Sequence, residues 1–424
     1  MTKTASIAIT VILLAMTLTA CGGGDETLEK TTDKTSGAKE NNSTAAEASA
    51  KPSPTSASGA EEMSEEETSF PLSDVVKFYA GEGFSMAIKT DGSLWWWGSN
   101  NWTKFNIEQS EYRNPTPLHV MDNISDVSIS KTHVLFIKTD GSLWGWGQNS
   151  GGQLGDGTTE HRSNPVHIMD NVVAVSASYD HTMAIKTDGS LWGWGQNSEG
   201  QLGDGTTIHS NTPKHIMDNV YIVSAGGHYT MAIKTDGSLW AWGSNRSGRL
   251  GISWLTEPSI NPEHVMDNVV SVSTSDPTVS AHTMAITTDG SLWAWGSNGR
   301  GQLGDGTKKD LRNPVHIMDN VSTVSAGGLY TMAVKTDGSL WGWGANSLGS
   351  ISVDYLNENI SDVISLLNPV HIMDNVAAVS TGTDHTMAIK TDGSLWAWGN
   401  NSSGQLGNST VMGSNNPPVQ VQIP

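Results

Sequence analysis

The chain of 424 residues has a single cysteine, Cys21, so no disulfide framework can form within it. Charge is sparse at 16% of residues, and positive charge is sparser still. Lys and Arg number 23 against 43 Asp and Glu, giving a net charge of −20. No nucleic-acid partner is expected, because phosphate binding needs a basic footprint. The acidity reads most simply as solubility. Long apolar runs are missing after the first 20 residues. Phe and Tyr are few, at 5 and 7, yet Trp numbers 17 and Gly 46.

The tryptophans sit in a repeat. Thr-Asp-Gly-Ser-Leu-Trp occurs seven times, starting at Thr90, Thr139, Thr187, Thr235, Thr288, Thr336 and Thr391. Successive starts lie 48 to 55 residues apart, the period of a repeat architecture. A second Trp follows two residues after the first in every copy, so both point to one face of a strand. The residue between them is Gly or Ala in six copies and Trp96 in the first. One face is bulky and the other almost bare, which suits a sheet stacked between two neighbours. Asp-Gly between apolar runs is a hairpin signal, since the tight turn needs positive φ.

One full unit is legible in residues 172–219. Strand A is expected at 172–176, strand B at 183–186, strand C at 191–194 and strand D at 214–216. The span 74–424 divided by seven is about 50 residues, or four short strands per unit. A Met-Asp-Asn junction joins D to A at Met121, Met169, Met217, Met266, Met318 and Met373. Seven hairpins with six junctions imply a closed ring whose termini meet, whereas an open solenoid would expose two sheet edges. The fold class is all-β: a seven-bladed β-propeller of four-stranded antiparallel blades. Whether Met-Asp-Asn lies within a blade or between blades stays open.

Residues 1–20 read as a signal peptide, with Lys3 ahead of an apolar run over 5–18 that is short for a membrane span. Leu18-Thr19-Ala20-Cys21 resembles a bacterial lipobox, which implies lipidation of Cys21. Residues 21–70 are low in apolar side chains and are expected to form a flexible tether. The propeller is assigned to 71–424.

Other motifs carry a resemblance. After strand C stands Gly195-Gln196-Asn197-Ser198-Glu199-Gly200-Gln201-Leu202-Gly203, and after strand A stands Ala225-Gly226-Gly227-His228-Tyr229-Thr230. With the Trp-containing hairpin, these resemble the repeat of the regulator of chromosome condensation family, a seven-bladed propeller. Gly-Gln-Leu-Gly becomes Gly248-Arg249-Leu250-Gly251 in unit four and Gly349-Ser350-Ile351 in unit six, and is missing from unit one. Those departures are expected to alter loops and spare the fold. The resemblance implies action by binding proteins, and the family's best-known member exchanges nucleotide on a small GTPase.

No catalytic set, phosphate-cradling loop or metal motif stands out, so neither an enzyme nor a cofactor is expected. His133, His181, His282 and His385 begin strand B in a slot that holds Phe84, Tyr229 and Tyr330 elsewhere. Phe cannot ligate metal, so the slot calls for a packed ring with a hydrogen-bonding role. Residues that break the repeat are the candidate partner anchors: Trp102, Phe105 and Tyr112 in unit one, Tyr179 in unit three, Trp254 in unit four and Tyr355 in unit six. The reading is a monomeric binding module, lipid-anchored at the extracytoplasmic face of a cell membrane. Its partner is a protein or cell-wall polymer, engaged by the A–B and C–D loops. A nucleotide-exchange regulator and an enzyme at the propeller mouth are the alternatives.

Overall fold

A computed structural model describes residues 74–100, 113–275, 280–352, 365–410, 413 and 416–424. All of the described residues fall in one compact unit, and residues 1–73 lie outside them. Seven four-stranded antiparallel sheets follow one another along that unit. Blade 1 holds β1 (Val75–Ala80), β2 (Phe84–Lys89), β3 (Leu94–Ser99) and β4 (Arg113–Met121). The other blades span 124–169, 172–217, 220–266, 269–318, 321–373 and 376–420. In each, strands A to D pair in sequence order.

The Met-Asp-Asn junctions therefore cross between blades. Each begins as the last residue of one strand D, and the next strand A starts in a new sheet. The Asn of every junction, Asn171 among them, sits near φ 62°, a left-handed conformation that Asn tolerates better than other side chains. Strand D of blade 3 is longer than expected, at Ser210–Met217, and bulges against strand C between Gly193 and Gly195.

Burial separates the paired tryptophans. The second of each pair is fully buried: Trp97, Trp146, Trp194, Trp242, Trp295, Trp343 and Trp398. The first, such as Trp192, is half-buried, although the spacing puts both on one face of the strand. The bare face between them is not filled by a neighbouring sheet. A Cβ on Gly193 would meet Met183 Sδ at 2.9 Å and Ile216 at 3.4 Å, both from the same blade.

The buried indole reaches across to the preceding blade. Trp194 Nε1 donates to the Gln153 carbonyl at 3.0 Å, and Trp242 Nε1 to the Gln201 carbonyl at 2.9 Å. Trp295, Trp343, Trp398 and Trp97 do the same to Arg249, Gln302, Ser350 and Gln405. Each of these carbonyls also accepts a strand-B hydroxyl from the same blade as the Trp: Thr182, Thr230, Thr283, Thr331, Thr386 or Ser85. The final Gly of the loop makes the seat. Gly203 has φ +75°, and a Cβ there would lie 2.7 Å from Trp242 Nε1. Because the acceptor is backbone, Arg249 and Ser350 replace Gln without loss of the link. For blade 2 the corresponding loop falls outside the described residues.

The strand-B slot completes a second circuit. His181 Nε2 meets Thr230 Oγ1 of the next blade at 3.0 Å, and His133, His282 and His385 meet Thr182, Thr331 and Ser85 at 2.8–3.1 Å. Tyr229 and Tyr330 bring hydroxyls to Thr283 and Thr386 at 3.1 and 3.0 Å. Thr230 gives its one hydrogen to Gln201, so it must accept from His181, which fixes the Nε2–H tautomer. Blade 1 has Phe84 in the slot, and the partner position in blade 2 is Val134; both are buried. Where the donor is absent, the acceptor is absent too.

Thr230→Val should leave the His181 donor buried without a partner and cost about 1–3 kcal/mol in urea unfolding. Adding His181→Phe, which copies the Phe84–Val134 pair, should recover part of that loss in a double-mutant cycle. Strictly additive losses would contradict the pairing.

Candidate functional site

Strands alternate in direction, so the ring has two chemically different ends. At one lie the B–C hairpins and the D–A junctions. Here Asp188 Oδ1 accepts Ser190 N and Oγ at 2.9 and 2.6 Å, and Trp192 Nε1 donates to Ser190 Oγ at 2.9 Å. The serine hydrogen bonds hold the Asp188 carboxyl below its ordinary value. Lys186 lies over the Trp192 ring at 5.5 Å, His215 meets that ring edge-on at 5.6 Å, and His215 pairs with Asp218 at 2.8 Å. The same arrangement recurs in blades 1, 2, 4 and 6. Its polar groups satisfy one another, and it is nearly the same from blade to blade.

The other end carries the A–B and C–D loops and the mouth of a central cavity of about 670 Å³. Strand A of each blade lines the cavity. Ser128, Ser176, Ser224, Ser273, Ser325 and Ser380 each accept a backbone N–H from the next blade at 2.8–3.2 Å. Tyr79 takes the serine's place in blade 1, where its hydroxyl donates to Asp126 at 2.5 Å and Lys77 Nζ stands 3.6 Å from the same oxygen. Tyr79 and Asp126 are non-repeated polar residues of the cavity wall, and the sequence reading passed over them and Lys77. Their signal was available: Lys77 and Tyr79 fill positions that hold Ala174 and Ser176 in blade 3.

Of the sequence-derived anchors, Trp254 is exposed at 71%, on the C–D loop of blade 4. Its loop is fixed by Asn245 Nδ2 and Arg312 Nη1, which both donate to the Leu255 carbonyl, at 2.6 and 3.3 Å. Tyr179 is half-buried at the cavity mouth. Trp102, Phe105, Tyr112, Tyr355 and Cys21 lie outside the described residues. The Asp of the Gly-Asp-Gly-Thr loops is engaged within its own loop: Asp156 accepts Asn149 Nδ2, Thr158 and Arg162. Among the described residues no three His, Cys, Asp or Glu side chains cluster as a metal set would.

Residues 11–317 match the sequence model described as the RCC1-like domain, and 321–350, 376–405 and 392–424 match the regulator of chromosome condensation (RCC1) repeat. The chain belongs to the RCC1-like domain family. This RCC1-like chain is 29% identical to the ultraviolet-B receptor UVR8 of Arabidopsis thaliana over 149 residues, 34% of this chain and 32% of that protein. It spans about a third or less of the length of the curated relatives it matches. Among solved structures, Prp20p of Saccharomyces cerevisiae superposes with TM-score 0.68 at 20% identity, covering 80% of this chain and 88% of that one. Human WBSCR16 does so with TM-score 0.66 at 20% identity, covering 78% and 94%. These likenesses show the fold.

Electrostatics inside the RCC1-like ring carry a pH dependence. Burial pushes the imidazoles of His181, His282 and His385 down to about 3 from an ordinary 6.5. The unfolded chain takes up these protons below 6.5 and the folded chain does not until about 3, so stability falls as pH drops through that window. Asp180, pushed up to about 6 by burial, and Asp384, also raised by burial, work the other way. His282→Tyr, which copies blades 4 and 6, should make the decline shallower by up to about 1.4 kcal/mol per pH unit in denaturant melts from pH 7 to 4. An unchanged slope would contradict a buried neutral His282.

Proposed function

We propose that this RCC1-like propeller is a binding module that engages a protein or envelope polymer through its A–B/C–D end. We further propose that Cys21 is lipidated and holds the chain at the extracytoplasmic face of a membrane. The observation that carries the docking face is Trp254. It is a large apolar side chain left in solvent on a fixed loop, at the end where the blades differ. The hairpin end offers a partner little asymmetry, and its side chains are already engaged with one another. A specific complex needs a few anchors in distinct surroundings, and the loop end supplies them.

Prp20p is described by its binding properties to Gsp1p and histones. That likeness in fold supports a second reading, a nucleotide-exchange regulator. The lipobox-like Leu18-Thr19-Ala20-Cys21 speaks against it, because an exported chain does not meet a cytoplasmic GTPase.

Fractionation and pull-down test the reading together. Cys21→Ser should release the chain from the membrane fraction. Substituting Trp102, Trp254 and Tyr355 together should weaken capture of an envelope partner by more than about tenfold and leave the melting temperature nearly unchanged. Retention of the Cys21 variant in the membrane would remove the anchor. Loss of capture on altering the Asp-Gly hairpins of a still-folded chain would invert the docking face.

A further inference from the structure

The rim of blades 4 and 5 departs from the ring in charge as well as in shape. Of the 18 Lys and Arg in residues 74–424, six are the strand-B lysines of the hairpin end. Five others lie on the loop end of blades 4 and 5: Arg246 on the Trp254 loop, Arg300, Lys308 and Lys309 on the C–D loop of blade 5, and Arg312 just after it. All five are exposed. The Trp254 loop contacts blade 5 at Arg312, the second residue of its strand D. A Cβ on Gly248 would lie 2.6 Å from Arg312 Cα, and Arg312 Nη1 holds the Leu255 carbonyl next to Trp254 at 3.3 Å.

The carboxylates nearby are mostly engaged. Glu199 pairs with Arg246 at 3.3 Å. Asp305 accepts Asn298 Nδ2 at 2.8 Å and the Thr307 hydroxyl, and Asp310 accepts Asn298 N at 2.8 Å. Glu257 on the Trp254 loop is the exposed carboxylate not tied to a loop bond among the described residues. Arg300, Lys308 and Lys309 have no ion pair among the described residues. In a chain of net charge −20, this is a place where a negatively charged partner is not repelled.

Exposed apolar surface adjoins these cations. Trp254 is 71% exposed, and Ile208 on the C–D loop of blade 3 is 67% exposed. The Ile208 loop is held to blade 4 by Gly205 N donating to the Ile260 carbonyl at 3.0 Å. Guanidinium forks suit carboxylates, and an exposed Trp suits an apolar side chain. A phosphate polymer would use the cations and gain nothing from Ile208.

We propose that the loop-end rim of blades 4 and 5 docks an acidic polypeptide segment that carries an apolar side chain. Trp254 receives the apolar group, and Arg312, Lys309, Lys308 and Arg300 receive the carboxylates. The proposal rests on the loop-end reading above and names the chemistry of its partner.

The probe is a fluorescein-labelled twelve-residue peptide of Glu and Ser with one central Leu, followed by anisotropy with the full chain. Binding is expected to weaken at high salt, by about tenfold or more with Arg312→Glu and Lys309→Glu together, and by about fivefold with Trp254→Ala. Should the reversed charges lower the melting temperature, Arg312→Gln with Lys309→Gln replaces them and should lose at least about threefold. Affinity within twofold of the parent in the charge variants, or equal affinity for the same peptide with Lys for Glu, would overturn the proposal. Inorganic polyphosphate that binds more tightly than the peptide, with no loss on Trp254→Ala, would assign the rim to a phosphate polymer and overturn it as well. An envelope partner captured through Trp254 whose binding ignores Arg312 and Lys309 would sink this inference and leave the loop-end reading in place.

Discussion

A single backbone carbonyl at each of six described blade interfaces organises the ring. It belongs to the second residue of the Gly-Gln-Leu-Gly loop, and it accepts both a buried indole N–H and a hydroxyl from the next blade. Several sequence features exist to serve it. The last Gly of the motif lets the indole approach, and Asn197 Oδ1 holds the loop by accepting Leu202 N at 2.9 Å. Leu202 fills the space beneath. A hydrogen bond made in this dry setting is worth little net, but leaving either partner unsatisfied is expensive, so the interface tolerates few arrangements.

The ring closes by the same device. Blade 7 is built wholly from the C-terminal stretch and blade 1 from the N-terminal stretch of the propeller, so no strand is shared across the seam. Instead the Gln405 carbonyl of blade 7 accepts Trp97 and Ser85 of blade 1, and Ser409 N donates to the Pro115 carbonyl at 3.0 Å. The interface that departs from the rule lies elsewhere, between blades 1 and 2. There an apolar pair, Phe84 and Val134, stands where the ring–hydroxyl bond is made elsewhere, and Tyr79 with Asp126 and Lys77 stands where the strand-A serine bond is made elsewhere.

Much of this was legible beforehand because it repeats. Seven hairpins against six junctions gave the blade count and the meeting of the termini. The Trp pairs marked strand C, and the Asp-Gly turns marked the hairpin end. The placement of Met-Asp-Asn between blades was not legible, since a short turn looks alike within a sheet and across two. Nor was the role of Gln in Gly-Gln-Leu-Gly, because it acts through its carbonyl, which every residue has; only the tolerance of Arg249 and Ser350 hinted at that. The two tryptophans of a pair share one spacing, so their unequal burial waited on the neighbouring blade. For the loop end, repeat-breaking identified Trp254. Of the cations on that rim, Arg300, Lys308, Lys309 and Arg312 are close in sequence, but only the fold sets Arg312 against the Trp254 loop of the preceding blade. The same search missed Tyr79 because it looked in loops and not within strands.

Fold and function thus draw on different residues. Repeated side chains are spent on the interfaces and the hairpin end, while the non-repeated Trp254 stands exposed at the loop end, where we propose recognition. The claim on which this division stands is that the seam of the termini is as firmly locked as the other interfaces built on this carbonyl. Amide and indole exchange on a chain labelled with 15N-tryptophan measures it directly. The buried indole N–H of Trp97 should persist in D₂O as long as that of Trp242, while the half-buried Trp95 and Trp240 exchange sooner. Exchange of Trp97 as fast as Trp95, with Trp242 still protected, would show an open seam and contradict the account.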